Sequence, residues 1–380
     1  MELFLTHDCN LRCRYCYNGR HFKRVMPRRV MEAAVSLAFD RGEGPVTVSF
    51  FGGEPLMEFH RLKDGVALSR AASKRSGREV RFQVTTNGTL LSGRRLEYLV
   101  AGGVSLNVSL DGNRAVQDRR RPFRNGKGSH RRVVENLLRA RVVAGKVTVT
   151  MVAGPGHLAE LPASLAHILS LGVETVHLAL DYHADWSAGD VEALGVALEV
   201  VGNCWVDAYR RGRPFSLPVF DSKIARHVLQ PLVNFPRCAC GDREWTVAPS
   251  GRIYPCDRMV GDDDGNGPVI GDVFAGFDAE ATARFLGCHQ GTPDRCRDCD
   301  DSPRCLFWAS CVKYGLTGNV GEPPDILCRL ERTVIRAADR AAAILFEEGN
   351  ATFIRRFYQG HYARRVLHAL GLKTGDVDQR

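Results

Sequence analysis

The chain has 380 residues, 44% hydrophobic and 25% charged, with a formal charge of +9. That length allows two domains around a large core, and the composition is that of a globular protein. Met1-Glu2-Leu3-Phe4-Leu5-Thr6-His7-Asp8 lacks the basic and apolar segments of a secretory signal, and the apolar run 191–201 is interrupted by Glu192, Gly195 and Glu199, too often to span a bilayer; a cytoplasmic protein without membrane contact is expected.

Leu3-Phe4-Leu5 reads as a strand that runs into a cysteine loop. Residues 29–40 carry Val30, Ala34, Leu37 and Ala38 at helical spacing. Val46–Phe51 is β-branched and aromatic and reads as a strand ending at Gly52-Gly53. Residues 62–73 fit a helix. Val80–Thr86 and Leu106–Leu110 read as strands ending at Asn87-Gly88 and Asp111-Gly112. Strands at 147–152 and 175–180, with helices at 131–144 and 159–171, complete about six βα units, which imply a parallel sheet or barrel. In such architectures ligands bind at the carboxyl ends of strands, where the glycine and polar motifs fall.

Beyond about residue 211 the texture changes. Pro214, Pro218, Pro231 and Pro236 read as helix breakers. Residues 238–328 are rich in Gly, Asp, Pro and Cys, with too little apolar periodicity for a conventional core, so metal clusters would supply the cross-links. A helical pattern returns at 329–348. The tail, 351–380, is basic and helical in expectation.

Thirteen cysteines in a reducing compartment point to metal rather than disulfides. Cys204 stands apart and reads as a small buried apolar residue. Cys9, Cys13 and Cys16 form a C-x3-C-x2-C loop. Three thiolates can hold three corners of a [4Fe–4S] cube and leave one iron open; zinc, with His7 as fourth ligand, is the alternative.

The string Cys9-Asn10-Leu11-Arg12-Cys13-Arg14-Tyr15-Cys16-Tyr17 resembles the signature of the radical S-adenosylmethionine (radical SAM) superfamily, Tyr15 included. The resemblance implies that S-adenosylmethionine chelates the open iron and that its reductive cleavage yields a 5′-deoxyadenosyl radical. Gly52-Gly53-Glu54-Pro55 is similar to the family's second motif, where backbone and acid meet the methionine amino group. Thr85-Thr86-Asn87-Gly88 and Ser109-Leu110-Asp111-Gly112 look like its later strand ends. Asn87 and Ser109 would then lie at the cofactor's polar edge, Asp111 would support its turn, and one of Arg119, Arg120 and Arg121 would reach the cofactor carboxylate or face solvent.

Cys238, Cys240, Gly251, Cys256, Cys296, Cys299, Cys305, Cys311 and Cys328 follow in the order of the SPASM extension of that superfamily. Five residues separate Cys305 from Cys311 where that pattern has three. By position, Cys256 and Cys311 with Cys238, Cys240 or both would hold one auxiliary [4Fe–4S] cluster, and Cys296, Cys299, Cys305 and Cys328 a second, giving three clusters in all. Cys288 is left over. Zinc knots remain the alternative from spacing alone. Asp257 after Cys256 resembles the catalytic aspartate of anaerobic sulfatase-maturing enzymes, a general base for a substrate proton.

The expected architecture is therefore α/β: a partial (β/α)6 TIM-type barrel over 1–210, a SPASM domain over 211–335 and a helical basic tail over 336–380. The expected enzyme is a peptide maturase that abstracts hydrogen from a ribosomal peptide and leaves a cross-link or an oxidised residue. The alternatives are a sulfatase-maturing enzyme that converts Cys or Ser to formylglycine, and a non-catalytic iron–sulfur scaffold or regulator. Expected partners are a peptide or protein substrate and an electron donor such as flavodoxin or ferredoxin. No leader-binding domain precedes Cys9, so either a separate leader-peptide-binding protein or a substrate that needs none is expected. Nucleic acid is not expected, because Arg355, Arg356, Arg364 and Arg365 lack the aromatic interleaving of an RNA reader.

Overall fold

The structure is a computed structural model that describes residues 1–229, 238–306 and 309–359. Its elements alternate as the sequence predicts: β1 (Glu2–Phe4), α1 (Arg28–Asp40), β2 (Val46–Phe51), α2 (Phe59–Ser76), β3 (Val80–Thr86), α3 (Arg94–Ala101), β4 (Val104–Ser109), α4 (Arg114–Arg120) and α5 (His130–Ala144). Then come β5 (Thr148–Ala153), α6 (Leu161–Ser170), β6 (Thr175–Leu180), α7 (Ala188–Arg210) and α8 (Pro218–Leu229). The cysteine-rich part holds β7 (Thr246–Val247), β8 (Arg252–Tyr254), β9 (Gly271–Asp272), β10 (Gly276–Phe277), α9 (Ala279–Gln290), α10 (Asp294–Arg297) and α11 (Ser310–Thr317). Helices α12 (Asp325–Glu347) and α13 (Ala351–Phe357) follow. The expectations on Pro231, Pro236, Arg364 and Arg365 lie outside the described residues. Among the described residues, no helix is long and apolar enough to cross a membrane.

Two compact units divide the chain. The first comprises residues 1–150 and 238–291, the second the described residues of 151–237 and 292–380. In the first, strands run in the order β10-β9-β8-β7-β1-β2-β3-β4-β5. β1 to β5 are parallel and each is set beside the next by in-register pairs such as Val48↔Phe82 and Val84↔Leu106. β2, VTVSFF, is mostly buried, whereas β3, β4 and β5 alternate buried residues with half-buried or exposed ones, the period-two pattern of a strand with one fully packed face. Leu3, Phe4, Val48, Phe50, Val84 and Val108 have no exposed surface, each burial worth about 1.5–3 kcal/mol.

The segment expected to lack a conventional core in fact has one. β7 pairs in parallel with β1, Leu3 opposite Val247, and β8, β9 and β10 continue antiparallel from it. Phe4, Ala248, Tyr254 and Val260 pack as one buried cluster. Strands of two or three residues carry no readable period. Their apolar partners come from the other end of the chain.

In the second unit, Asp181 at the end of β6 donates its backbone N–H to Ala153 of β5 at 2.8 Å. Helix α7 starts at a capping box: the Ser187 hydroxyl accepts from Asp190 N, and the Asp190 carboxylate accepts from Ser187 N at 2.9 Å. Trp205 of α7 is fully buried among the rings of Tyr209, Phe220, Phe353 and Phe357. Pro218, expected to break a helix, opens α8 instead, where its missing N–H costs nothing. Cys204, expected to be buried, is half-buried on α7. The Lys223 ammonium of α8 donates to Glu331 of α12 at 2.5 Å and to the Arg304 carbonyl at 2.6 Å, and both side chains are buried.

Candidate active site and metal centres

The loop after β1 is clamped by β2. Gly53 N–H donates to Thr6 O and Glu54 N–H to Asp8 O, at 2.8 and 3.0 Å. Gly52 adopts φ +132°, and a side-chain carbon at Gly53 would stand 2.3 Å from the Asp8 carbonyl oxygen. Only glycine lets the strand end approach the cysteine loop this closely.

Glu54 is fully buried. Its carboxylate accepts from Leu56 N at 3.0 Å, Thr86 Oγ1 at 2.7 Å and Asn87 N at 2.7 Å. Burial pushes it up to about 7, and those hydrogen bonds act in the opposite direction. Pro55 starts the short turn that Glu54 caps. The Asn87 amide donates to Asn10 Oδ1 at 2.8 Å and to Cys9 Sγ at 3.7 Å, so it holds the cysteine loop directly. Ser109, at the end of β4, is half-buried and makes no side-chain hydrogen bond among the described residues.

Asp111 is the hub beneath Tyr15. It is buried and accepts the Tyr15 phenol proton at 2.5 Å. The Arg120 and Arg121 guanidiniums each lie 3.2 Å from the same carboxylate oxygen. Both stand over the Tyr15 ring, 4.3 and 5.1 Å from its centre. Arg121 also donates to Cys13 Sγ at 3.8 Å. The two arginines are therefore buried rather than on a solvated face.

Burial raises all three thiols of the first loop, Cys13 to about 11; the charge of Glu54 adds to the rise at Cys9 and that of Cys16 to the rise at Cys13. Sulfurs that resist ionisation in isolation are ionised by coordination to a metal. A [4Fe–4S] cluster thus fits Cys9, Cys13 and Cys16.

In the same unit, Cys238, Cys240 and Cys256 gather. Hydrogen bonding with Cys238 and with Cys256 holds the Cys240 thiol down to about 5, and its sulfur lies 3.1 Å from the Pro255 carbonyl oxygen. Asp257 accepts the Cys256 thiol on Oδ1 at 3.0 Å and the Tyr17 phenol on Oδ2 at 2.6 Å. Arg258 covers the Tyr17 ring at 5.1 Å.

In the second unit, Cys296 and Cys305 are buried against each other. Burial raises the Cys296 thiol, and the charges of Cys328 and Cys299 raise it further. Arg295 donates to Cys328 Sγ at 3.5 Å and Arg332 to Cys299 Sγ at 3.7 Å. The two guanidiniums would offset thiolate charge at Cys299 and Cys328, while among the described residues no group of three or more Cys, His, Asp or Glu side chains is gathered closely enough to hold a metal ion. Cys311 lies in the first turn of α11 in this unit, and Cys288 is exposed on α9.

Sequence reasoning did not single out Tyr17, Arg295, Arg332, or the Lys223–Glu331 pair. Tyr17 had one signal, its place directly after Cys16. The arginines had none, because their sulfur partners are 33 positions away.

Residues 3–168 match the Radical SAM superfamily. A Cysteine-type anaerobic sulfatase-maturating enzyme of Clostridium novyi (strain NT) is 25% identical over 329 residues, 79% of this chain and 84% of that protein. A PqqA peptide cyclase of Gluconobacter oxydans (strain 621H) is 25% identical over 338 residues, 86% and 89% of the two chains. Among solved structures, anSMEcpe with bound AdoMet aligns with a TM-score of 0.75 at 16% identity, covering 90% of this chain and 97% of that one. Streptococcus suis SuiB bound to precursor peptide SuiA aligns at 0.57 and 15% identity, covering 86% and 75%.

Proposed function

Residues 3–168 of this chain are a radical SAM domain, and from that premise we propose that the protein is a SPASM-type peptide maturase. It abstracts hydrogen from a peptide and leaves a cross-link or an oxidised residue. The cysteine loop clamped at the carboxyl ends of parallel strands carries this reading, because that is where α/β enzymes build their sites. The names of the relatives, a peptide cyclase and sulfatase-maturating enzymes, support it. Cys9, Cys13 and Cys16 would hold the domain's [4Fe–4S] cluster, which when bound would supply the electron for reductive cleavage of S-adenosylmethionine.

The chain's own residues do the rest. Gly52 and Gly53 open the backbone toward the loop, Glu54 offers a carboxylate to the methionine ammonium, and Ser109 a free hydroxyl to its polar edge. Tyr15 is held by Asp111, and Arg121 offsets thiolate charge at Cys13. Two auxiliary clusters in the 211–335 region would draw on Cys256 with Cys238, Cys240 or both, and on Cys296, Cys299, Cys305 and Cys328. An electron donor such as flavodoxin or ferredoxin and a separate leader-peptide-binding protein are the proposed partners.

A second reading, oxidation of a sulfatase Cys or Ser, is favoured by one observation. Asp257 is oriented by Tyr17 beside Cys256, where it could accept a substrate proton. Mass spectrometry separates the two. A short peptide encoded beside this gene is co-expressed anaerobically. Loss of two hydrogens, absent with Cys13→Ala, establishes the peptide maturase. An unmodified peptide beside a converted sulfatase fragment establishes the second reading.

A further inference from the structure

Helix α12 carries Arg329, Arg332, Arg336 and Arg340. At 100° per residue these positions share one face, over about 16 Å of helix. Like charges three and four residues apart repel and weaken a helix, so the stripe is held at a cost unless it serves something. Arg332 is offset by Asp301 at 3.3 Å and Arg340 by Glu199 at 3.1 Å. Arg329 and Arg336 have no carboxylate partner among the described residues.

The stripe borders a cleft of about 620 Å³ between α7 and α12. Its floor is small and apolar: Val191, Gly195, Ala337 and Ala341. Val196, on the α7 rim, is 66% exposed, and Val200 one turn on is 43% exposed. Glu192 and Glu199 also line the cleft, against four guanidiniums, so the balance stays positive.

We propose that this cleft docks an acidic, amphipathic segment of the peptide substrate, its apolar side chains on the floor of Val191, Gly195, Ala337 and Ala341 and its carboxylates on Arg329 and Arg336. This rests on the peptide-maturase reading. Concavity and the apolar floor select the occupant. A peptide laid in a groove recovers both, whereas small electron carriers meet their partners over small, weak interfaces. Arg329 and Arg336 are seven residues apart, about 10 Å along the helix. Acids at every third residue of a chain in the polyproline II conformation lie on one side, about 9 Å apart, and match that distance.

The test uses the cluster-loaded protein and fluorescence anisotropy. The probe is a fluorescein-labelled peptide of repeated Glu-Leu-Val, with repeated Gln-Leu-Val as its uncharged counterpart. Wild type binds the first at least about tenfold more tightly than the second, and binding weakens with salt. Arg336→Glu weakens the acidic probe by about tenfold or more. Gly195→Leu fills the floor without altering charge and weakens it by a similar factor. The first side-chain carbon at 195 meets only Thr333 Cγ2 at 3.6 Å, and circular dichroism checks that the leucine variant folds. Arg131→Glu on α5, 89% exposed, leaves binding unchanged. Wild-type affinity in both cleft variants overturns the proposal. So does unchanged probe binding with impaired binding of reduced flavodoxin, which would assign the stripe to the electron donor. Absent S-adenosylmethionine cleavage with intact probe binding sinks the maturase reading alone, and intact cleavage with no probe binding sinks the cleft alone.

Discussion

Tyr17 and Asp257, 240 positions apart, meet in a 2.6 Å hydrogen bond in which the phenol donates to Oδ2. Burial raises the Tyr17 pKa well above its usual range, and the neighbouring Asp257 charge raises it further. The proton therefore stays on the phenol, and Asp257 stays the acceptor. Oδ1 accepts from the Cys256 thiol; were that sulfur bound to metal it would no longer donate, and the oxygen would be open to another proton.

Asp257→Asn removes the acceptor. Product per 5′-deoxyadenosine should fall by about 10²–10⁴, with cofactor cleavage preserved. Tyr17→Phe removes one hydrogen bond to a charged group, about 1.5–3 kcal/mol, and should cost roughly 10- to 100-fold. Equal product yields in wild type and Asp257→Asn would exclude the proton-accepting role. Quantifying both products in one anaerobic reaction decides it.

Glu54 makes stability depend on pH. Its folded pKa, about 7, lies above the ordinary 4.5. A carboxyl shifted upward stabilises the fold while protonated: the contribution is full below pH 4.5 and lost as pH rises through 7. The difference is up to about 3 kcal/mol. Urea denaturation of cluster-free, cofactor-free protein should therefore show stability declining from pH 5 to 7.5. Glu54→Gln should flatten that decline; parallel curves for the two proteins would contradict it.

Gly53→Ala places a carbon 2.3 Å from the Asp8 carbonyl, and a backbone atom cannot move aside cheaply. The cysteine loop must shift. If all three clusters form, the reconstituted wild type holds about 12 irons. Gly53→Ala should hold about four fewer, with the signals of the other clusters intact. Full iron content in the variant would refute the clamp. A wild type with about four irons and bound zinc would refute the auxiliary assignments.

Lys223→Met strands the buried Glu331 carboxylate without its cation. Breaking one side of a buried pair costs about 3–5 kcal/mol. Glu331 also accepts from Leu306 N at 2.9 Å, so the Cys305 loop should loosen too. Chemical denaturation gives the first effect and faster iron loss to a chelator the second. An unchanged midpoint would show that the pair is dispensable.

The strands at 46–51, 80–86 and 175–180 were legible to the residue, because β-branched, aromatic and aliphatic residues recur at their buried positions and turn residues bound them. The cysteine loop and the glycine pair were legible from spacing. The Asp111 hub was not, since its meaning depends on Tyr15 and Arg121 arriving from separate segments. Nor was β7, whose two residues become a strand only beside β1. What local spacing encodes could be read; what long-range pairing creates could not.

The most direct test is anaerobic incubation of the reconstituted protein with S-adenosylmethionine and a strong reductant, with 5′-deoxyadenosine quantified by mass spectrometry. The wild type should form it, and Cys13→Ala should form none above background. Equal yields from the two proteins, or none from a wild type loaded with iron, would contradict the radical mechanism and leave an iron–sulfur scaffold in its place.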